Sequence, residues 1–160
     1  MAKAAVADAA PLIAFARIGQ LGLLPKVLGE VFVPDAVAAE CLARDLPGAS
    51  EIKEAFATGL LVRHADVGNG VPTFPQLDAG ETAAIHLAQH IGAVLLVDER
   101  LGRAVAQRLR LSVVGSLGVL IAAKRQGLIP SMKQMLSQMR ANGYYIADAL
   151  VSDALRRAGE

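Results

Sequence analysis

Residues 94–106 read VLLVDERLGRAVA. Val94–Val97 is an unbroken run of aliphatic residues, the pattern of a strand buried on both faces. Asp98 follows at once, and Asp98–Leu109 then takes a helical period. The start of the chain repeats this grammar in AVADAAPLIAFARIG, residues 5–19. There a strand over Ala4–Ala7 ends on Asp8, and a helix follows from Pro11 with proline in its first turn.

Working outward, Val31–Val33, Leu60–Arg63 and Ser112–Val114 read as further strands. Helices are predicted at Leu21–Leu28, from Pro34 to about Arg44, and at Ser50–Ala57, Asp78–Ile91, Ser116–Gln126, Pro130–Ala141 and Ile146–Ala158. The stretch 66–77, with two glycines and two prolines, is the one long loop. Short apolar strands alternating with helices predict an α/β fold of three layers, α/β/α, with a central parallel sheet of about five strands. With 160 residues and neither a repeat nor a linker, the chain is read as one domain whose extra C-terminal helices occupy about 130–160.

Composition narrows the class. Hydrophobic residues are 54% and charged residues 19% of the chain, a globular balance. No apolar run is long enough to span a bilayer, and the N-terminus lacks the pattern of a secretory signal. Cys41 is the only cysteine, so no internal disulfide forms and a reduced, cytoplasmic setting is expected. The net charge of +1 hides an asymmetry: residues 100–147 carry eight Lys or Arg and no acid, whereas most acids lie before residue 100. That distribution suits either ordinary solvated helix faces or a polyanion held beside an acidic metal site. Aromatic residues are too few for base-stacking platforms.

Asp8 and Asp98 each stand one residue beyond a buried strand. In an open parallel sheet, the ligand crevice lies at the C-terminal ends of the strands. Aspartate there is also a favoured helix cap, worth about 1 kcal/mol. Asp78-Ala-Gly-Glu81 has the form of a capping box, and Glu40 borders the buried stripe of its helix. Each acid alone has this structural explanation. Converging, the four carboxylates Asp8, Glu40, Glu81 and Asp98 would repel one another unless their pKa values rose or a cation joined them. An all-oxygen ligand set selects Mg²⁺ or Mn²⁺.

The stretches VADAAPLIAFARIG (6–19), EVFVPDAVAAE (30–40), LDAGETAAIHLA (77–88), VLLVDERLGRAVA (94–106) and GSLGVLIAAKRQGLI (115–129) together resemble the PIN-domain family of metal-dependent nucleases, in the branch with a longer helical C-terminus. The resemblance implies a sheet of order 3-2-1-4-5, which makes the first and fourth strands neighbours. It assigns the family's four acids to Asp8, Glu40, Glu81 and Asp98, and it implies cleavage of RNA to a 5′-phosphate and a 3′-hydroxyl. Many family members carry a hydroxyl residue just after the first acid; here Ala9 and Ala10 stand there, and Ser116 is the substitute or else a plain helix cap.

Phosphodiester hydrolysis needs an activated water and a sink for charge on the phosphoryl and leaving oxygens, which one or two Mg²⁺ or Mn²⁺ ions supply. Asp8 and Asp98 are then read as direct ligands, Glu81 as a ligand directly or through water, and Glu40 as orienting the water or holding a second ion. Glu99 is a candidate outer ligand. Arg100 and Arg103, with Ser116, are candidates for nucleic-acid contact, against surface ion pairs for the arginines. The expected function is a Mg²⁺- or Mn²⁺-dependent endoribonuclease acting on RNA, as the toxin of a toxin–antitoxin pair with an antitoxin protein as partner. The alternative is a weakly catalytic or inactive module of the same fold that binds nucleic acid or protein. His86 and His90 have helical i, i+4 spacing but no third zinc ligand, and are read as surface histidines. An aspartyl phosphatase is disfavoured by Ala10, and a dinucleotide-binding enzyme by the missing G-x-G-x-x-G. Met132, Met135, Met139, Tyr144 and Tyr145 fit either a homodimer or partner surface or the core, and their helical spacing favours the core.

Overall fold

The centre of the molecule is β1 (Ala4–Ala7), a strand of three alanines and one valine. In the computed structural model, which describes residues 3–68 and 72–160, Ala5, Val6 and Ala7 are all 0% exposed. Side chains alternate across a strand, so both faces of β1 are covered. Its neighbours on either side are β2 (Glu30–Pro34) and β4 (Val94–Leu96), both parallel to it, with Val6 opposite Phe32 on one side and Leu95 on the other. The strands β3 (Val62–His64) and β5 (Val113–Val114) form the edges, so the sheet runs β3-β2-β1-β4-β5. The family resemblance implied this order, and β1 and β4 are indeed neighbours.

The helices are α1 (Ala9–Arg17), α2 (Leu23–Leu28), α3 (Asp35–Leu42), α4 (Ala49–Thr58), α5 (Ala79–Ile91), α6 (Arg100–Arg108), α7 (Ser116–Arg125), α8 (Met132–Ala141) and α9 (Asp148–Arg157). They surround the sheet, α1 against α3 and α4, α5 against β1 and β2, and α7 against α2, α8 and α9. Phe15 and Leu12 of α1, Ile85 and Leu87 of α5, and Leu120 of α7 are the bulky members of the core. Met132, Met135 and Met139 of α8 are buried, as their spacing indicated, but Tyr145 is 88% exposed. Glu160 accepts a hydrogen bond from the amide of Met132 at 2.5 Å and so caps the start of α8.

Element ends depart from the sequence reading in instructive ways. The first helix opens at Ala9, two residues before the proline that was expected to start it. Pro11 fits its third position because the amides of the first turn have no intrahelical partner to lose. The helix after β4 opens at Arg100 rather than Asp98, with Glu99 as its cap. The expected loop 66–77 includes Asn69, Gly70 and Val71, which lie outside the described residues; among the rest, Asp66 accepts a hydrogen bond from the amide of Ala36 at 3.3 Å.

The turn from α2 into β2 depends on Gly29, at φ 83° and ψ −144°. A Cβ there would collide with the backbone carbonyl of Lys3. Gly59, at φ 81° and ψ 7°, faces open space. Gly29→Ala is therefore expected to cost more than about 2 kcal/mol in urea unfolding, and Gly59→Ala only about 1 kcal/mol. Equal costs at the two positions would remove this account of the turn.

Candidate active site at the carboxyl edge of the sheet

Pairing between β1 and β4 continues one residue past β1, where the amide of Asp8 donates to the carbonyl of Leu96 at 3.0 Å. The amide of Val97 in turn donates to the carbonyl of Val114 on the β5 side at 2.9 Å. These bonds fix Asp8 and Asp98 side by side at the carboxyl edge of the sheet. Neither aspartate caps the helix that follows it. Asp8 occupies the cap position of α1, but its side chain makes no capping bond, although the residue is only 5% exposed. The cap of α6 is instead Glu99, which accepts from the amide of Gly102 at 2.8 Å.

Asp98 is held by the start of α7. Its Oδ1 accepts from the Ser116 amide at 2.7 Å and its Oδ2 from the Ser116 hydroxyl at 2.6 Å. Two donors at a helix N-terminus compensate its negative charge. Gly115 makes room for this arrangement: a methyl group in place of its hydrogen would lie 2.5 Å from Arg103 Nη1 and 3.0 Å from Asp98 Oδ1. Arg103 thus stands beside Asp98, donating to the Val97 carbonyl at 3.3 Å. Tyr144, from the segment between α8 and α9, also faces Asp98. Burial first, and the Asp98 charge second, push its hydroxyl well above the usual tyrosine range.

Glu40 and Glu81 arrive from α3 and α5. Two helical glycines leave space for them. A methyl on Gly80 would meet Glu40 Oε1 at 3.0 Å and Asp78 Oδ1 at 3.5 Å, and a methyl on Gly102 would meet Glu81 Oε2 at 3.2 Å and Glu99 Oε2 at 3.7 Å. Asp78 forms its half of the predicted capping box, accepting from the Glu81 amide at 2.7 Å. Glu81 Oε2, however, is buried without a hydrogen-bond partner. The cluster therefore contains Asp8, Glu40, Asp78, Glu81, Asp98 and Glu99. Asp78 was read only as a cap in the sequence; its place one turn before Glu81 on the same helix start was the available signal.

The electrostatics follow from this crowding. Burial, and then the charges of Asp78, Glu40 and Asp98, raise the Asp8 pKa to about 6 against the opposing effect of the Ala9 amide. Burial and the Asp78 charge raise Glu81 and Glu40 as well. For Glu99, burial acts upward but the amides of Gly102 and Leu101 outweigh it and hold the group low. Cys41, beside Glu40, is buried, and its thiol is pushed up to about 12.

The remaining candidates are placed as follows. Arg100 is exposed at the first position of α6, and Ser116 is fully buried with its hydroxyl committed to Asp98. His86 is not a surface histidine: it is 6% exposed, its ring lies 5.4 Å from that of Phe74, and its Nε2 has no hydrogen-bond partner. The loop before α5 covers it, whereas His90, one turn on, is exposed. Among the described residues, no three His, Cys, Asp or Glu side chains stand close enough to grip a metal ion in their present rotamers. The donor chemistry nonetheless fits a hard cation, because the set is entirely oxygen and includes one buried oxygen with nothing bound to it.

A family model described as PIN domain (DUF3368) matches residues 4–160. The chain belongs to the PIN-domain family. PIN domains are generally nucleases and generally use divalent metal ions. Among solved structures, the chain is similar to a PilT N-terminus domain protein from the hyperthermophilic archaeon Sulfolobus solfataricus P2, with 14% identity, a TM-score of 0.48 and coverage of 85% of this chain and 92% of that one. It is also similar to a domain of a functionally unknown protein from Methanocaldococcus jannaschii DSM 2661, with 14% identity, a TM-score of 0.46 and coverage of 71% and 91%. No curated protein matches the chain. No helix among the described residues is long and apolar enough to cross a membrane.

The Asp8 shift has a consequence for stability. Between the ordinary value of 3.8 and about 6, the folded protein keeps a proton that the unfolded chain releases. Stability in the absence of metal therefore falls as pH rises through that window, by about 3 kcal/mol in total. Asp8→Asn is expected to raise the metal-free unfolding free energy by up to about 3 kcal/mol at pH 8 and to change it little at pH 4. Urea titrations of both proteins at the two pH values check this; a variant less stable than the parent at pH 8 would contradict it.

Proposed function

We propose that this PIN domain is a Mg²⁺- or Mn²⁺-dependent endoribonuclease whose acidic centre is Asp8, Glu40, Glu81 and Asp98. The observation that carries the proposal is the condition of Asp8. It is buried, it caps nothing, and the charges that act on it are carboxylates of its own sign. A group so placed costs folding energy unless a cation offsets it.

In this reading the chain's own residues divide the work. Asp8 and Asp98 hold the ion from two adjacent strand ends, with Ser116 locking the Asp98 rotamer from behind. Glu81 contributes the buried Oε2, and Glu40, at the exposed rim, orients water. Arg103 lies where it can meet a phosphate oxygen next to Asp98. When bound, the ion supplies Lewis acidity and neutralises charge on the phosphoryl group. The C-terminal helices, about 130–160, are read as part of the same single domain, a reading supported by Tyr144, which comes from that region and faces Asp98. The toxin role, an antitoxin partner, a cytoplasmic setting and a homodimer extend the same proposal.

A second reading, a catalytically weak binding module, is favoured by one feature. Ala9 and Ala10 offer no hydroxyl, and the Ser116 hydroxyl is spent on Asp98. The assay that separates the two uses mixed RNAs with Mn²⁺. The parent protein is expected to cleave, and an Asp8→Asn, Asp98→Asn double variant to lose about a hundredfold or more. Equal cleavage by both would overturn the nuclease proposal.

Metal binding is expected to displace the Asp8 proton. Mn²⁺ titration calorimetry in buffers of different ionisation enthalpy should show more protons released at about pH 5.5 than at pH 8, because Asp8 is largely protonated only at the lower pH. No heat at either pH would argue against an acidic metal centre.

A further inference from the structure

Two tyrosines stand side by side in the turn between α8 and α9, and the fold treats them oppositely. Tyr145 is 88% exposed, whereas Tyr144 is half-buried and packs against the core. The turn that sorts them is held from both ends. Arg17, at the end of α1, donates through Nη1 to the Asn142 carbonyl at 3.1 Å. Arg140 donates through Nη2 to the Ile146 carbonyl at 2.6 Å and to Asp148 Oδ1 at 2.8 Å. Between these clamps the Tyr144 amide donates to the Met139 carbonyl at 2.9 Å, which ties the turn to the end of α8. Gly143 takes φ 90°, and a methyl there would lie 3.3 Å from Arg17 Nη1. So restrained, the segment turns one tyrosine inward and the other outward.

What lies inward is polar. The Tyr144 hydroxyl stands beside the Asp98 carboxylate and the Ser116 hydroxyl, with the Arg103 charge near by. Phenylalanine would fill the same space against the core. A phenol drawn out of water needs a polar partner, and Asp98 has room to be one. Ser116 gives one donor to each of its oxygens, whereas a carboxylate has about four acceptor positions. Both of those donors come from a single residue at the start of α7. The Tyr144 hydroxyl approaches from a different element, and so restrains movements of the carboxylate that Ser116 alone leaves free.

We infer that Tyr144 is a positioning residue for Asp98: the α8–α9 turn brings its hydroxyl to the Asp98–Ser116 pair and so presets the carboxylate for a divalent cation. This deepens the proposed metal-dependent centre and rests on it for the ion. It gives the C-terminal helices a part in the chemistry. It also brings to the acidic edge, from outside the sheet, a hydroxyl that Ala9 and Ala10 do not offer. A group that holds a ligating carboxylate acts on metal affinity, where such partners are worth about ten- to a hundredfold. Acting through Asp98, Tyr144 touches neither the RNA nor the ion.

Three variants test this. Tyr144→Phe removes the hydroxyl and keeps the ring, Tyr144→Leu removes both, and Tyr145→Phe removes the hydroxyl of the exposed neighbour. Mn²⁺ alone is titrated into each protein by calorimetry at about pH 8, and melting temperatures are taken in metal-free buffer. Tyr144→Phe is expected to bind Mn²⁺ about tenfold more weakly than the parent, with a melting temperature within about 2 °C of it. Tyr144→Leu should melt lower yet lose the same factor in affinity, and Tyr145→Phe should match the parent in both. Affinity intact in Tyr144→Phe and lost only in Tyr144→Leu would make Tyr144 a packing residue and overturn the inference. An equal loss in Tyr145→Phe would overturn it too. Cleavage of mixed RNAs at saturating Mn²⁺ keeps the two claims apart. There Tyr144→Phe should show the parental KM; a raised KM would mean direct contact with RNA and sink the positioning role. A parent that cleaves, with Mn²⁺ affinity unaltered in Tyr144→Phe, removes the positioning role alone. The expected affinity pattern without cleavage by the parent removes the ribonuclease reading alone, and a parent that binds no Mn²⁺ removes both.

Discussion

Six carboxylates at one edge of a sheet cannot all be charged and dry at once. The structure distributes this difficulty unevenly among them. Asp98 and Glu99 each receive backbone or hydroxyl donors, from Ser116 and from Gly102, and these stabilise their charge. Asp8 and Glu81 receive less, and their protons are held correspondingly more tightly. Because like charges a few ångströms apart repel more strongly as water is excluded, the donors of α6 and α7 gather on one side of the edge, and the acids with fewer donors, Asp8 and Glu81, hold their protons above the ordinary range. Gly80, Gly102 and Gly115 are accommodations to this crowding, each leaving a volume that a carboxylate or the Arg103 guanidinium fills.

The same constraint separates two roles that look identical in sequence. Asp8 and Asp98 both end buried strands and both precede helices, so each could be a cap. Capping requires the side chain to turn back onto the first amides of its own helix. Asp8 makes no such bond, and Asp98 reaches across to a different helix while Glu99 takes the capping position. The acids that do cap, Asp78 and Glu99, sit immediately beside the ones that do not, so that local helix chemistry and the acidic cluster occupy the same few residues.

Much of this was legible in the sequence. Four of the five strands fall where apolar runs end in Asp, Gly or Pro, since buried strands need no periodicity beyond continuity; the edge strand β3 falls at Val62–His64 rather than the expected Leu60–Arg63, and carries Arg63 and His64. The four acids Asp8, Glu40, Glu81 and Asp98 could be named from their positions beyond strands and at helix starts. What could not be read was pairwise contact across the fold. Ser116 lies eighteen residues from Asp98, and nothing local distinguishes its hydroxyl from any other at a helix start. His86 escaped because the covering residue, Phe74, comes from a loop without a pattern. Asp78 was hidden by its own success as a cap. Boundaries slipped where the first turn of a helix tolerates proline, at Pro11, and where two acids in a row compete for one cap, at Asp98 and Glu99.

The strand order also has a meaning in time. β1, β2 and β3 are made first and can pair in sequence, but β4 must dock onto the far edge of β1 after some thirty further residues have been added beyond β3. Until it does, Asp8 has no Leu96 carbonyl to pair with and Asp98 no Ser116 to hold it. A chain emerging from a ribosome at about 5–20 residues per second therefore spends seconds with half of its acidic centre in place and none of it assembled. The acidic edge comes into being only when the last long-range strand pairing closes, so a partly made chain carries these carboxylates without the geometry that gathers them.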